Sequence, residues 1–198
     1  MMKVSSFLHT LIALLVLLFC SHINCSSTGE FSNKTYTNYI KTQCNITIYP
    51  RLCYHSLSIY AENIKTNPKV LAHTALNLSL SATRRTCRVV KELSKIRGLK
   101  PREAGAVLDC VELIEDSVGE LEKSMQELDN LGSSSFAFQI NNIQTWVSAA
   151  LTDDDTCTDG FAQLIDSEVK AIVRRRALKI GHLTSNSLAL VNSYAASA

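Results

Sequence analysis

The residues of this 198-residue chain with the most chemistry to offer are seven cysteines and several clustered carboxylates. Cysteines pair as disulfides, ligate zinc or act as nucleophiles, depending on compartment and spacing. No C-x₂-C pair occurs, and His55, His73 and His182 are scattered, so no metal centre and no cofactor are expected. Nor is there a G-x-S-x-G elbow, a phosphate-cradling loop, a dinucleotide fingerprint or an H-E-x-x-H pair. The carboxylates are better placed for contact than for catalysis. Glu112, Asp116 and Glu120 stand at i, i+4 and i+8, a single acidic stripe on a helix. Such a stripe is either a solvated outer face or a contact surface for a basic or polar partner groove. Asp153-Asp154-Asp155 reads as a loop that stops a helix, or as carboxylates offered to a partner. Arg174-Arg175-Arg176 fans across consecutive helical positions, so it reads as solvated, with at most one stem buried. Trp146 is the only tryptophan, and core packing is its expected role.

Compartment decides how the cysteines read. Lys3 precedes an unbroken apolar run from Leu11 to Phe19, followed by polar and small residues at Cys25, Ser26 and Ser27. Residues 1–25 therefore read as a signal peptide, cleaved near Cys25; the run is too short to span a bilayer comfortably, which disfavours the competing reading of a membrane anchor. The mature protein is expected to be secreted and extracellular, with no membrane association. A net charge of +2 gives no electrostatic footprint for nucleic acid. Cys20 and Cys25 leave with the signal, and Cys44, Cys53, Cys87, Cys110 and Cys157 remain. In an oxidising compartment two bridges and one spare thiol are expected, but spacing alone does not assign the pairs. Sequons at Asn33, Asn45 and Asn77 make each a candidate for N-glycosylation.

The elements that must position these groups are almost wholly helical. A polar lead covers 26–33. Residues 34–66 read as a short hairpin of two helices, Tyr36 to Gln43 and Leu52 to Asn63, turned at Tyr49-Pro50 because proline biases its predecessor away from helix. A Cys44–Cys53 bridge would close the loop between them. Residues 67–198 carry four longer segments. The first opens at Asn67-Pro68, a cap followed by proline at the first helical position, and runs to about Arg97 before Gly98. The second runs from Pro101 to Leu131-Gly132 with Val107, Cys110, Ile114, Val118, Leu121, Met125 and Leu128 along one seam. Ser133-Ser134-Ser135 supplies turn and cap chemistry, the third helix spans Phe136 to about Leu151, and the fourth spans about Ser167 to Tyr194. Short links between long helices favour antiparallel neighbours. The expected fold is all-α: an antiparallel up-down-up-down four-helix bundle with a disulfide-stapled N-terminal helical hairpin as an appendage.

Four blocks, in order, cover nearly all of the expected mature chain. They are Cys44-Asn-Ile-Thr-Ile-Tyr-Pro-Arg-Leu-Cys53 with Ser56-Leu57, and Leu108-Asp-Cys-Val-Glu112 through Asp116-Ser-Val118. Then come Trp146-Val-Ser-Ala-Ala-Leu-Thr152 with Asp155-Thr-Cys-Thr-Asp-Gly-Phe161, and finally Leu183-Thr-Ser-Asn-Ser-Leu-Ala-Leu190. Together they resemble the plant invertase and pectin methylesterase inhibitors. The resemblance implies bridges Cys44–Cys53 and Cys110–Cys157, leaves Cys87 as a free thiol, and implies a non-covalent inhibitor and no enzyme. It further implies pectin methylesterase or acid invertase as partner, in the apoplast and cell wall. Invertase inhibitors of the family carry a Pro-Lys-Phe motif near the start of the last helix; here Phe161 to Lys170 reads Phe-Ala-Gln-Leu-Ile-Asp-Ser-Glu-Val-Lys, which favours the methylesterase. At matching positions Glu112, Asp116, Thr156 and Asp159 are the candidates for the inhibitory interface, facing the cations expected of a groove built for an anionic polymer. Some pectin methylesterases carry a similar domain ahead of a large catalytic part, and on length that reading is not expected of this chain.

Overall fold

A computed structural model describes residues 27–198, with side chains from Asn33 onward. The signal-peptide expectation for residues 1–25 lies outside the described residues. The elements are α1 (Ser27–Cys44), α2 (Pro50–Leu57), a 3₁₀ turn (Ser58–Tyr60), α3 (Ala61–Ile64), α4 (Pro68–Leu93), α5 (Pro101–Asp129), α6 (Phe136–Gly160) and α7 (Glu168–Ser197). Among the described residues there is no strand, and no helix is long and apolar enough to cross a membrane.

Local chemistry sets the helix starts. Asn67 Oδ1 accepts from Val70 N at 3.1 Å, with Pro68 behind it. Ser167 Oγ accepts from Lys170 N at 3.0 Å to open α7. The serine linker behaves differently from expectation, since Ser135 makes no side-chain cap. Gln139 takes over instead: its Oε1 accepts from Gly132 N and Ser135 Oγ, both at 2.8 Å, and its Nε2 donates to Asn130 O at 2.9 Å. One amide thereby satisfies groups on both sides of the turn.

The four long helices form a ring in which α4 packs on α5 and α7, and α6 packs on the same two. Side-chain pairs show each neighbour running antiparallel. Between α4 and α5 they are His73–Asp129, Arg84–Glu122 and Lys91–Glu115. Between α5 and α6 they are Cys110–Cys157, Ser117–Asp154 and Glu127–Asn142. Between α6 and α7, Gln144 meets Asn192 and Asp154 meets Thr184.

Three departures have physical causes. α4 ends at Leu93, and residues 94–96 continue as tight turns, so Ile96 lies 46% exposed and not in the seam. The segment Leu52 to Asn63 is broken by the 3₁₀ turn, and α1 begins inside the stretch read as a polar lead. The hairpin is more than an appendage. Ile40, Cys44, Cys53, Leu57 and Ile64 share one core with Leu71 and Ala75 of α4 and Leu190 of α7. Asn186, 3% exposed, clamps the hairpin turn through its side chain: Oδ1 accepts from Tyr49 N and Nδ2 donates to Tyr49 O, each at 3.1 Å. Tyr49 stacks on His182 at 3.7 Å.

Candidate interaction surface

The surface of interest is the outer edge of the α5/α6 pair. The buried Cys110–Cys157 bridge pins these two helices together, with a Cα–Cα distance of 4.6 Å. It closes a 47-residue separation, which in the chain-entropy account contributes about 4 kcal/mol. Glu112 and Asp116 follow Cys110 on α5, and Thr156 and Asp159 flank Cys157 on α6. All four are exposed. Glu112, Asp116 and Asp159 make no ion pair among the described residues. The Thr156 hydroxyl is spent on Thr152 O at 2.7 Å.

The acidic character of this edge has an internal signature. Burial, then the Asp116 charge, then the Glu120 charge push the Asp153 carboxyl up to about 6. Carboxylates of both helices therefore crowd one another across the pair. Glu120 is partly covered; Lys123 Nζ pairs with its Oε1 at 2.9 Å, while Oε2 is buried without a partner.

Asp153-Asp154-Asp155 is not a loop. All three lie within α6, which runs on to Gly160. Asp154 is fully buried, and it accepts from Ser117 Oγ of α5 at 3.0 Å and from Thr184 Oγ1 of α7 at 3.1 Å. Burial dominates its ionisation, raising the carboxyl to about 8 against the opposing pull of those hydrogen bonds. The group is thus a protonated tie between three helices near neutral pH. Its place was readable in the spacing of Val147, Ala150, Asp154 and Cys157, an inward row that carries on past Leu151. Asp153 and Asp155 flank it, half-buried and exposed.

The remaining sequence candidates are placed as follows. Cys44 and Cys53 are bonded across the hairpin turn, with a Cα–Cα distance of 5.5 Å. Cys87 carries a free, buried thiol whose ionisation burial pushes up, leaving it a poor nucleophile. Asn33, Asn45 and Asn77 are exposed. Trp146 is half-buried on α6. Arg174 and Arg175 are exposed and Arg176 is half-buried. No group of three or more potential metal ligands occurs among the described residues.

An all-helical bundle tied by the Cys110–Cys157 bridge and by the buried Asp154, with exposed carboxylates along its α5/α6 edge, is the class of fold that these residues define. The chain belongs to the plant invertase/pectin methylesterase inhibitor family, whose model matches residues 38–190. It is accordingly not an enzyme. It is 49% identical over 170 residues to Pectinesterase inhibitor 10 of Arabidopsis thaliana, across 84% of this chain but only 54% of that protein's length. It is 46% identical to a 21 kDa protein of Daucus carota, covering 80% of this chain and 84% of that one. Pectinesterase inhibitor 11 of Arabidopsis thaliana is 43% identical, over 84% of this chain and 85% of that one. Among solved structures, a mutant form of a pectin methylesterase inhibitor from Arabidopsis superposes with a TM-score of 0.65 at 25% identity, over 77% of this chain and 95% of that one.

Proposed function

We propose that this protein is a secreted inhibitor of pectin methylesterase, acting in the cell wall by covering the enzyme's substrate groove without covalent chemistry. The observation that carries the reading is the α5/α6 edge: exposed, unpaired carboxylates held at fixed spacing on two helices bolted by the Cys110–Cys157 bridge. A groove that accommodates an anionic polymer presents cations, and a rigid acidic edge complements it. Relatives named as pectinesterase inhibitors support the choice of target. Glu112, Asp116, Thr156 and Asp159 are the proposed contact residues, with Thr156 limited to packing or accepting because its proton is already donated.

The test is residual activity of plant pectin methylesterase and, separately, of acid invertase, each titrated with the purified protein across mildly acidic pH. Saturable loss of esterase activity alone is expected. Loss of invertase activity alone would transfer the proposal to that enzyme. With neither enzyme slowed, the inhibitor reading fails and a non-inhibitory extracellular binding bundle replaces it.

A further inference from the structure

Several cations on α4 and α7 differ in how they are compensated. On α4, Arg84 and Lys91 are engaged by Glu122 and Glu115 of α5. Arg85, Arg174, Arg175, Arg176 and Lys179 have no carboxylate within 4.0 Å among the described residues. Four of these five meet in one place. Arg85 of α4 and Arg175, Arg176 and Lys179 of α7 line a groove of 300 Å³ between the two helices. The Nε of Arg176 is buried, so its guanidinium is held by its stem against the groove floor. Arg175 and Lys179 also form the wall of a second, open groove of 740 Å³ along α7, closed on its far side by Leu52 of the hairpin. Arg174, Lys170 and His182 extend that groove. Its lone carboxylate, Asp166, pairs with Lys170 at 3.1 Å and leaves the others uncompensated.

Shape and spacing restrict the ligand. The residues from Lys170 to His182 span roughly 18 Å of helix, and Arg175 and Lys179 stand about 6 Å apart along it. A small anion would satisfy one or two of these groups; an extended polymer with regularly repeated charges can satisfy the row. Guanidinium forks favour carboxylates and phosphates. Phosphate polymers bound as single strands also call for aromatic platforms, and the aromatic pair beside this groove, Tyr49 and His182, is already stacked on itself. Carboxylate polymers need no such platform. The α4/α7 edge also lies on the opposite side of the ring from the acidic α5/α6 edge, since α4 and α6 are each flanked by α5 and α7.

We propose that the α4/α7 edge binds de-esterified pectin, a chain of carboxylated sugars, while the α5/α6 edge stays free for the enzyme. The choice of polymer rests on the proposed function: hydrolysis of a pectin methyl ester leaves a carboxylate on the chain, so the target's own product is the polyanion at hand. The protein would then be retained where its target has worked.

The full mature chain is tested on immobilised polygalacturonate and on fully methyl-esterified pectin of equal length, with duplex DNA and anionic phospholipid vesicles as other polyanionic surfaces. Binding to polygalacturonate at least tenfold tighter than to the esterified polymer is expected, weakening as salt rises. Arg175→Glu with Lys179→Glu should lower that binding at least tenfold with unchanged esterase inhibition, and the milder Arg175→Gln with Lys179→Gln should lower it less. Arg175 and Lys179 are both exposed, and melting curves check that the fold is kept. Equal binding to both polymers, an unaltered affinity in the two double variants, or tighter binding to DNA or vesicles at the same salt would each overturn the proposal. If charge-sensitive polymer binding persists while no esterase is inhibited, the proposed function fails and this inference survives; the reverse result removes this inference alone.

Discussion

Replacing Asp154 by asparagine should flatten the dependence of folding stability on pH between about 4 and 8. The side chain is fully buried between α5, α6 and α7, and its carboxyl is raised from 3.8 to about 8. Between those values the folded state holds a proton that the unfolded chain has released. Stability from this group is therefore fully present below the unfolded value and is lost as pH rises toward the folded one. The slope is about 1.4 kcal/mol per pH unit, so moving from pH 5 to pH 7 should cost the native protein roughly 2–3 kcal/mol. The asparagine side chain would keep the shape without the titration: its Oδ1 accepts from one hydroxyl and its Nδ2 donates to the other, as the O–H of the protonated acid would. Urea unfolding of both proteins at pH 5, 6 and 7 gives the difference directly. Other groups, Asp153 included, cancel to first order in that comparison. The asparagine variant should already be ahead by roughly 1.6 kcal/mol at pH 5, and the gap should widen by roughly 2–3 kcal/mol more by pH 7. Parallel curves would refute the reasoning, because they would mean that Asp154 ionises freely and that water reaches it.

Four further outcomes are expected. Cys110→Ser should cost about 4 kcal/mol and Cys44→Ser about 3 kcal/mol by loop closure, read as denaturant midpoints with and without reductant. Asp116→Lys should weaken esterase inhibition about tenfold with little change in melting temperature, and should lower the Asp153 ionisation followed by NMR, since a repelling charge becomes an attracting one. A Cβ on Gly181 would sit 3.4 Å from Asp155 Oδ1 and 3.7 Å from Asp154 Cβ. Gly181→Ala should therefore raise stability by up to about 1 kcal/mol through helix propensity, whereas Gly181→Leu should lower it by prising α6 from α7. Lys65 ends α3 at φ +53°, so Lys65→Gly should raise the melting temperature by relieving left-handed backbone strain.

Much of the bundle was legible because apolar periodicity reports burial directly. The Asn67-Pro68 start, the Pro101 start and the seam through Cys110, Ile114, Leu121 and Leu128 needed only local signals. Positions where a polar residue takes an inward place were not legible. In α5 the buried places next to Ile114 and Leu121 belong to Ser117 and Ser124, while Val118 and Met125 are only half-covered. A hydrophobicity reading prefers the valine and the methionine; the serines are admitted because each finds an oxygen, Ser117 on Asp154 and Ser124 on Glu120 O. The same blindness turned an aspartate run into an expected loop. The acidic stripe on α5 was visible because its members are neighbours in sequence. The basic grooves were not, because Arg85 and Arg175 are brought together only by the ring closing α4 onto α7.

The hydroxyls inside the bundle bear on how it can change. Ser79 Oγ meets Ser187 Oγ at 2.8 Å between α4 and α7, and Asp154 joins Ser117 to Thr184 across α5, α6 and α7. Purely greasy helices can slide past each other by one turn and still bury their faces. A hydroxyl at one height is satisfied only by a partner at the matching height, and a slip strands both in a dry interior. The spacing of outer charges on neighbouring helices is therefore dictated from within. Surface residues can be exchanged one by one, retuning which protein or polymer is recognised, while the ruler against which they are laid out stays fixed.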